Sequence, residues 1–220
     1  MAIGKPDILS PEEHRRIEQA VQAAERGTRA EIIPMIVGRS GLYREVRHNT
    51  GLVAALLVLT GLLLWEASWS AWGWHAANAM WLLGATIVAY GLGAWLGTLP
   101  GLVPWMTTRE RRRHKVRLRA ERGFAQLGVA HTRERTGVLI MVSMLEREMD
   151  VIADHPISEV VPPEAWQAVV QAGRQAVEAG RVAEGLCASI ARCGEVLART
   201  APAGPGDNPN ELPDRVRVEP

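Results

Sequence analysis

The stretch GLVAALLVLTGLLLW, residues 51–65, carries no charged side chain. It decides the architecture, because it interrupts a chain that otherwise reads as one α/β domain, and a second apolar segment, Met80–Trp105, follows almost at once. A bilayer hydrocarbon core of about 30 Å takes roughly 20 apolar residues as helix. Leu52–Trp69 supplies that length when Glu66 and Ser68 reach the headgroups, and Met80–Trp105 exceeds it. Gly91, Gly93, Gly97, Pro100 and Pro104 in the second segment predict close helix packing and a broken exit. The pattern predicts a two-helix transmembrane hairpin, with spans at about 51–69 and 80–105, rather than a buried hairpin in a soluble core.

Composition hides this, because a hydrophobic content of 47% and a net charge of +1 resemble an ordinary soluble protein. Mapping the tryptophans separates the two materials: Trp65, Trp69, Trp72, Trp74, Trp81, Trp95 and Trp105 are seven of the eight. That density favours a membrane interface. Arg39, Arg44 and Arg47 precede the first span, and Arg109, Arg111, Arg112, Arg113, Lys115, Arg117 and Arg119 follow the second, while Ala67–Ala79 has no Lys or Arg. The positive-inside rule then predicts a multi-pass protein of the bacterial inner membrane, with both termini cytoplasmic and a tryptophan-rich tip outside. No signal-peptide pattern opens the chain, and Cys187 and Cys193 suit a reducing compartment and form no metal-binding spacing.

The soluble flanks carry clear punctuation. Ser10, Pro11 and Glu13 form an N-cap and capping box, Ile17, Ala20, Val21 and Ala24 recur at helical spacing, and Gly27 ends the helix. Glu31–Val37 is an apolar run of strand length, in which Pro34 cannot donate to a ladder and so predicts an edge position or a bulge. The basic run becomes a helix ending before Gly128; Thr136–Met144 reads as the strongest strand, and a turn at Glu146–Glu148 leads into an antiparallel partner, Met149–Ala153. Helices over Pro163–Ala179 and Val182–Arg199 follow, and the last twenty residues read as a tail.

Residues 1–48 alone offer too little surface for a core, whereas joined to the residues after the second span they make a domain of about 164 residues. The expected organisation is a first domain part at 1–48, a hairpin at 49–105, a second domain part at 106–200 and a Pro/Gly-rich acidic tail at 201–220.

LSPEE at 9–13, AERGTRAEI at 24–32, FAQLGVAHTRERTGVLIMVSMLEREMDVIAD at 124–154, GRVAEGLCASI at 180–190 and NELPD at 210–214 together resemble the TPM domain family. That family is named from a thylakoid lumen protein, a photosystem II subunit and a nematode receptor modulator. The match is to the bacterial subgroup with an internal membrane hairpin and an NELPN-like tail. The resemblance implies a Rossmann-like α/β/α sandwich, here interrupted by the hairpin. It also implies a divalent cation (Ca or Mg) in some members, a phosphatase assignment in the family label, and roles beside membrane protein complexes. Pro34 departs from the continuous β-branched strand of relatives, and many relatives are secreted.

The residues themselves supply no nucleophile with a phosphate cradle. Cys193 and Arg199 are separated by five residues, as in cysteine phosphatases, but GEVLA between them lies on a periodic helix whose backbone amides are already used. Carboxylates offer more: if the first two strands are parallel and the third antiparallel, Glu31 and Asp154 reach one sheet end, beside Arg133 and Arg135. Two readings follow, a salt-bridge and capping network or a metal site using Glu31 and Asp154. Arg109, Arg111, Arg112, Arg113 and Lys115 are likewise either a topology signal or lipid headgroup ligands, worth about 1 kcal/mol each beside an anionic leaflet. Nucleic acid is not expected as a partner, because no aromatic stacking face accompanies the charges. Glu66 and His75 are expected to be solvated rim residues.

The expected function is a membrane-anchored, non-enzymatic accessory, scaffold or maintenance factor for a membrane protein complex. The alternative is a weak divalent-metal-dependent phosphatase at the cytoplasmic membrane face. Hairpin glycines that mediate a homo-oligomer are compatible with either.

Overall fold

In the computed structural model the structure describes residues 9–41, 43–69, 76–99, 107–132, 134–204 and 212–219. Trp72, Trp74, His75, Pro100, Pro104, Trp105, Arg133, Asn210 and Glu211 lie outside the described residues. Two compact units emerge: Met1–Gly41 with Arg112–Pro220, and Leu42–Arg111.

The first unit begins with α1 (Pro11–Glu25), set by its N-terminal punctuation. The Ser10 side chain accepts the Glu13 N–H at 3.2 Å, and the Glu13 carboxylate accepts the Ser10 N–H at 2.7 Å. After it comes β1 (Ile32–Val37). The chain re-enters through α4 (Arg109–Gln126), which stops at Gly128 with φ 68° and passes through a 3₁₀ turn, Val129–His131. Then follow β2 (Val138–Ser143), β3 (Glu148–Ala153), α5 (His155–Val160), α6 (Pro163–Glu178), α7 (Val182–Thr200) and β4 (Arg217–Glu219).

The sheet order is β3-β2-β1-β4. β1 runs parallel to β2, with Ile32 opposite Val138, and parallel to β4, with Met35 opposite Arg217; β3 is antiparallel to β2. Side chains alternate across this sheet, as the two-residue strand period requires. Ile32, Ile36, Val138, Ile140 and Val142 join Ile17 and Val21 of α1 and Leu186, Ile190 and Leu197 of α7 in one cluster. Ile33, Met35, Val37, Leu139 and Met141 join Val116 and Ala120 of α4 in another. This is the α/β/α sandwich: α1, α6 and α7 on one face, α4 on the other. Glycine sets the closest helix approach, since a Cβ at Gly185 on α7 would lie 2.6 Å from the Gly173 carbonyl oxygen on α6.

Backbone polarity explains Pro34. Val138 N–H donates to the Glu31 carbonyl (2.8 Å) and Met144 N–H to the Val37 carbonyl (3.0 Å), so odd-numbered residues of β1 face β2. Even-numbered residues face the other edge. There the Ile32 N–H donates to Glu25 Oε1 at 2.8 Å, and the Gly38 N–H donates to the Glu219 carbonyl at 2.9 Å. Pro34 has no N–H to place, and β4 pairs only from Met35 onward. β1 is thus internal by strand order yet an edge at its proline, with no bulge needed.

In the second unit α2 (Arg44–Trp69) and α3 (Ala76–Leu96) pack antiparallel. A Cβ at Gly93 would stand 2.6 Å from Ala54 Cβ and 2.7 Å from the Thr50 carbonyl oxygen, while Gly51 faces the Tyr90 ring and Gly97 meets Arg47. Arg44–Ala67 and Ala79–Leu96 are each long and apolar enough to cross a membrane. Only 11% and 22% of those windows are buried, unlike the core helix of a soluble domain. The first helix starts earlier than the expected span because Arg44–Thr50 continues it as a polar extension.

Candidate functional site

Polar side chains collect at both ends of the parallel strands, and the two ends are built differently. At the entering end of β1, α1 delivers Glu25 in its final turn. Glu25 is 5% exposed, and its carboxylate caps the Ile32 N–H. Burial pushes its pKa up to about 8 against the pull of that hydrogen bond, and the neighbouring charges of Glu31 and Asp214 push the same way. Thr28 Oγ1 donates to the Ala201 carbonyl at 2.6 Å, and Thr136 Oγ1 to the Arg29 carbonyl at 3.1 Å, tying α7 and β2 to the same corner.

Glu31 and Asp154 are both buried at this end, as parallel β1 and β2 with antiparallel β3 require. They stand on opposite sides of β2, so two interstrand spacings, roughly 10 Å, separate their backbones. Asp154 is occupied by capping: Oδ1 accepts the His155 N–H at 2.7 Å at the start of α5, and also meets Arg135 Nη2 at 3.2 Å. Arg135 adopts φ 55°, a left-handed conformation that a non-glycine residue seldom takes. Surrounding restraints hold it, including Thr136 N–H to Thr132 Oγ1 at 3.0 Å. Among the described residues no group of three or more His, Cys, Asp or Glu side chains gathers closely enough to hold a metal ion.

At the leaving end, Ser143 closes β2 with no exposed surface. Ser40 Oγ donates to Ser143 Oγ at 2.7 Å, and Ser143 Oγ donates to the Glu146 carboxylate. The Ser40 N–H also donates to Glu146, at 3.1 and 3.2 Å to its two oxygens. Arg147 turns the chain into β3 at φ 51°. Carboxyl ends of parallel strands are where open α/β sheets bind ligands. Here that position holds a carboxylate engaged by two serines, and the pattern reads as a lock between the β2–β3 turn and the segment leaving β1.

The basic residues expected to meet lipid, Arg109, Arg111, Arg112, Arg113 and Lys115, all lie on α4. The structure brings acids to part of this run: Arg111 to Glu45 at 3.8 Å and Arg113 to buried Glu148 at 3.6 Å. Farther along, Arg117 meets Glu121 at 3.1 Å and Asp150 at 3.5 Å, and Arg119 pairs with Glu219. Burial raises the Asp150 pKa, and Arg117 opposes the shift. Cys193 is fully buried with its thiol pushed up to about 12, an inert core side chain rather than a nucleophile.

Sequence reasoning missed Glu25 and the Ser40–Ser143–Glu146 group. For Glu25 a signal existed, since an acid in the last helical turn opposes the helix dipole and needs a local reason. Glu146 gave none: Ser40, which binds both Glu146 and Ser143, sits 106 and 103 residues before them, and Glu146 itself looks like ordinary turn chemistry.

The TPM domain family model matches residues 105–196. Over that segment the chain is similar to a TPM domain. The matched segment covers α4, β2, β3, α5, α6 and most of α7, the second sequence piece of the sandwich. A search of the curated proteins finds none that matches. Among solved structures, the BA42 protein of the psychrophilic bacterium Bizionia argentinensis is similar, with a TM-score of 0.60 at 18% identity over 99% of each chain. At that identity the likeness shows that this chain and BA42 share a fold.

Proposed function

We propose that this chain is a membrane-anchored TPM-domain protein of the bacterial cytoplasmic membrane, acting as a non-enzymatic accessory or scaffold for a membrane protein complex. The observation that carries the reading is the exposed apolar surface of α2 and α3, inserted in the chain between β1 and α4. Leu57, Leu64, Ile87 and Trp95 are each more than 60% exposed. Leaving such side chains in water costs about 1.5–3 kcal/mol apiece, a cost that hydrocarbon removes. Both sequence pieces of the sandwich then flank the anchor, with the arginines of α4 on the cytoplasmic side meeting anionic headgroups.

The internal pairing of Ser143, Glu146 and Asp154 supports structural rather than chemical work at the sheet ends. Crosslinking in membranes followed by purification in mild detergent tests the proposal: a membrane protein should be recovered in fixed stoichiometry. Repeated recovery of the chain alone contradicts it.

A second reading has one observation in its favour, the burial of Glu31 and Asp154 at one sheet end, where a divalent cation would serve a weak phosphatase. The detergent-solubilised chain should then hydrolyse a generic phosphomonoester only with added Mg²⁺ or Ca²⁺. Activity unchanged in Asp154→Ala removes this site.

A further inference from the structure

The two halves of the free edge of β1 are treated differently. Over Ile32–Pro34 the edge cannot accept a strand, because one N–H is taken by Glu25 and the next residue is proline. Beyond Pro34 the edge is left able to pair, and β4 covers it with only three residues. The covering segment straddles the sheet: Val216 and Val218 pack with the α1/α7 cluster, and Leu212 packs with the α4 cluster.

We infer that the β1 edge beyond Pro34 is a strand-acceptor slot, filled in cis by residues 212–219 and open to an extended segment of a protein partner bearing an aliphatic residue followed by a carboxylate. The inference rests on the accessory reading and names its docking surface. Chemistry specifies the occupant. It runs parallel to β1, because the slot offers the Gly38 N–H to the Glu219 carbonyl and pairs Ile36 with Val218. An aliphatic side chain at the Val218 position enters the apolar cluster, and a carboxylate at the next position meets Arg119, whose side chain is 19% exposed.

The cis occupant is short and partly exposed. Val216 is buried, Arg217 is exposed, Val218 and Glu219 are half-buried, and among the contacts outside the strand are Gln22 to Asp214 at 3.0 Å and Arg215 to Glu18 at 3.9 Å. Exposed polar contacts of this kind contribute little.

A labelled synthetic peptide of sequence LPDRVRVE, residues 212–219, tests this against the full chain in detergent. Anisotropy should show saturable binding, tightened at least tenfold in Glu219→Ala, where the cis occupant loses its ion pair, and abolished in Arg119→Glu. Hydrogen exchange on the unaltered chain gives a reading independent of any variant. The Gly38 and Glu219 amides, which face across the β1–β4 pairing, should exchange at least 100-fold faster than those of Leu139–Met141, and added peptide should slow Gly38 exchange. Exchange of Gly38 as slow as the core, no saturable binding, or binding indifferent to Arg119→Glu overturns the slot. The accessory reading itself falls only if no membrane partner is recovered.

Discussion

Glu25 couples the corner of the sandwich to pH. Its folded pKa is about 8 against an ordinary value of 4.5, so between those limits the folded state binds more protons than the unfolded chain. Stability is fully present below pH 4.5, falls as pH rises toward about 8, and flattens above, with a slope approaching about 1.4 kcal/mol per unit from this group. Denaturation of the detergent-solubilised chain at a series of pH values should show that fall, and Glu25→Gln should flatten it. An unchanged slope in the variant assigns the pH dependence elsewhere. At the other sheet end, Ser143→Ala removes a buried donor from the Glu146 carboxylate and should cost about 1–3 kcal/mol in the same measurement; a change within 0.5 kcal/mol means that the lock is idle. These residues were hard to read in the chain for a shared reason. Burial gives each its role, and for Ser143 and Glu146 so does Ser40, about a hundred residues earlier; neither appears in local pattern. Pro34 was the opposite case, because the missing N–H is a local fact that pointed to an edge or a bulge, and the structure takes the edge.

Elements with strong local chemistry were legible. The Ser10–Glu13 capping box marked α1, the apolar run at 136–144 marked β2, and Gly128, with φ 68°, ended the helix that the basic run begins. What escaped was short. α5 has six residues and β4 three, too few for any period to show, and both form because tertiary partners exist: the Asp154 cap for one, the open edge of β1 for the other. Helix packing makes its own prediction. Gly93→Leu should separate α2 from α3, since even a Cβ there meets Ala54 and Thr50, whereas Gly84→Leu should be tolerated because nothing stands within 4 Å of its Cβ. Thermal unfolding in detergent should show a markedly lowered midpoint for the first and an unchanged one for the second. Equal effects would mean that the α2–α3 seam is not the packed surface.

At the scale of the whole molecule, one sandwich is assembled from two sequence pieces, with a pair of apolar helices inserted between them. The charge-free run at 51–65 exposed the insertion because lipid demands a length and purity that soluble cores do not. The same run says nothing about partner or chemistry, since a membrane span would be shaped by the bilayer alone. The central claim is that the insertion crosses the membrane and leaves the sandwich in the cytoplasm. Impermeant maleimide labelling of single cysteines, introduced into a chain lacking Cys187 and Cys193 and assayed in intact spheroplasts, tests it most directly. Ala79→Cys should label from outside, and Arg122→Cys only after lysis. Labelling of Arg122→Cys in intact spheroplasts, or recovery of the chain in the soluble fraction, would contradict the account.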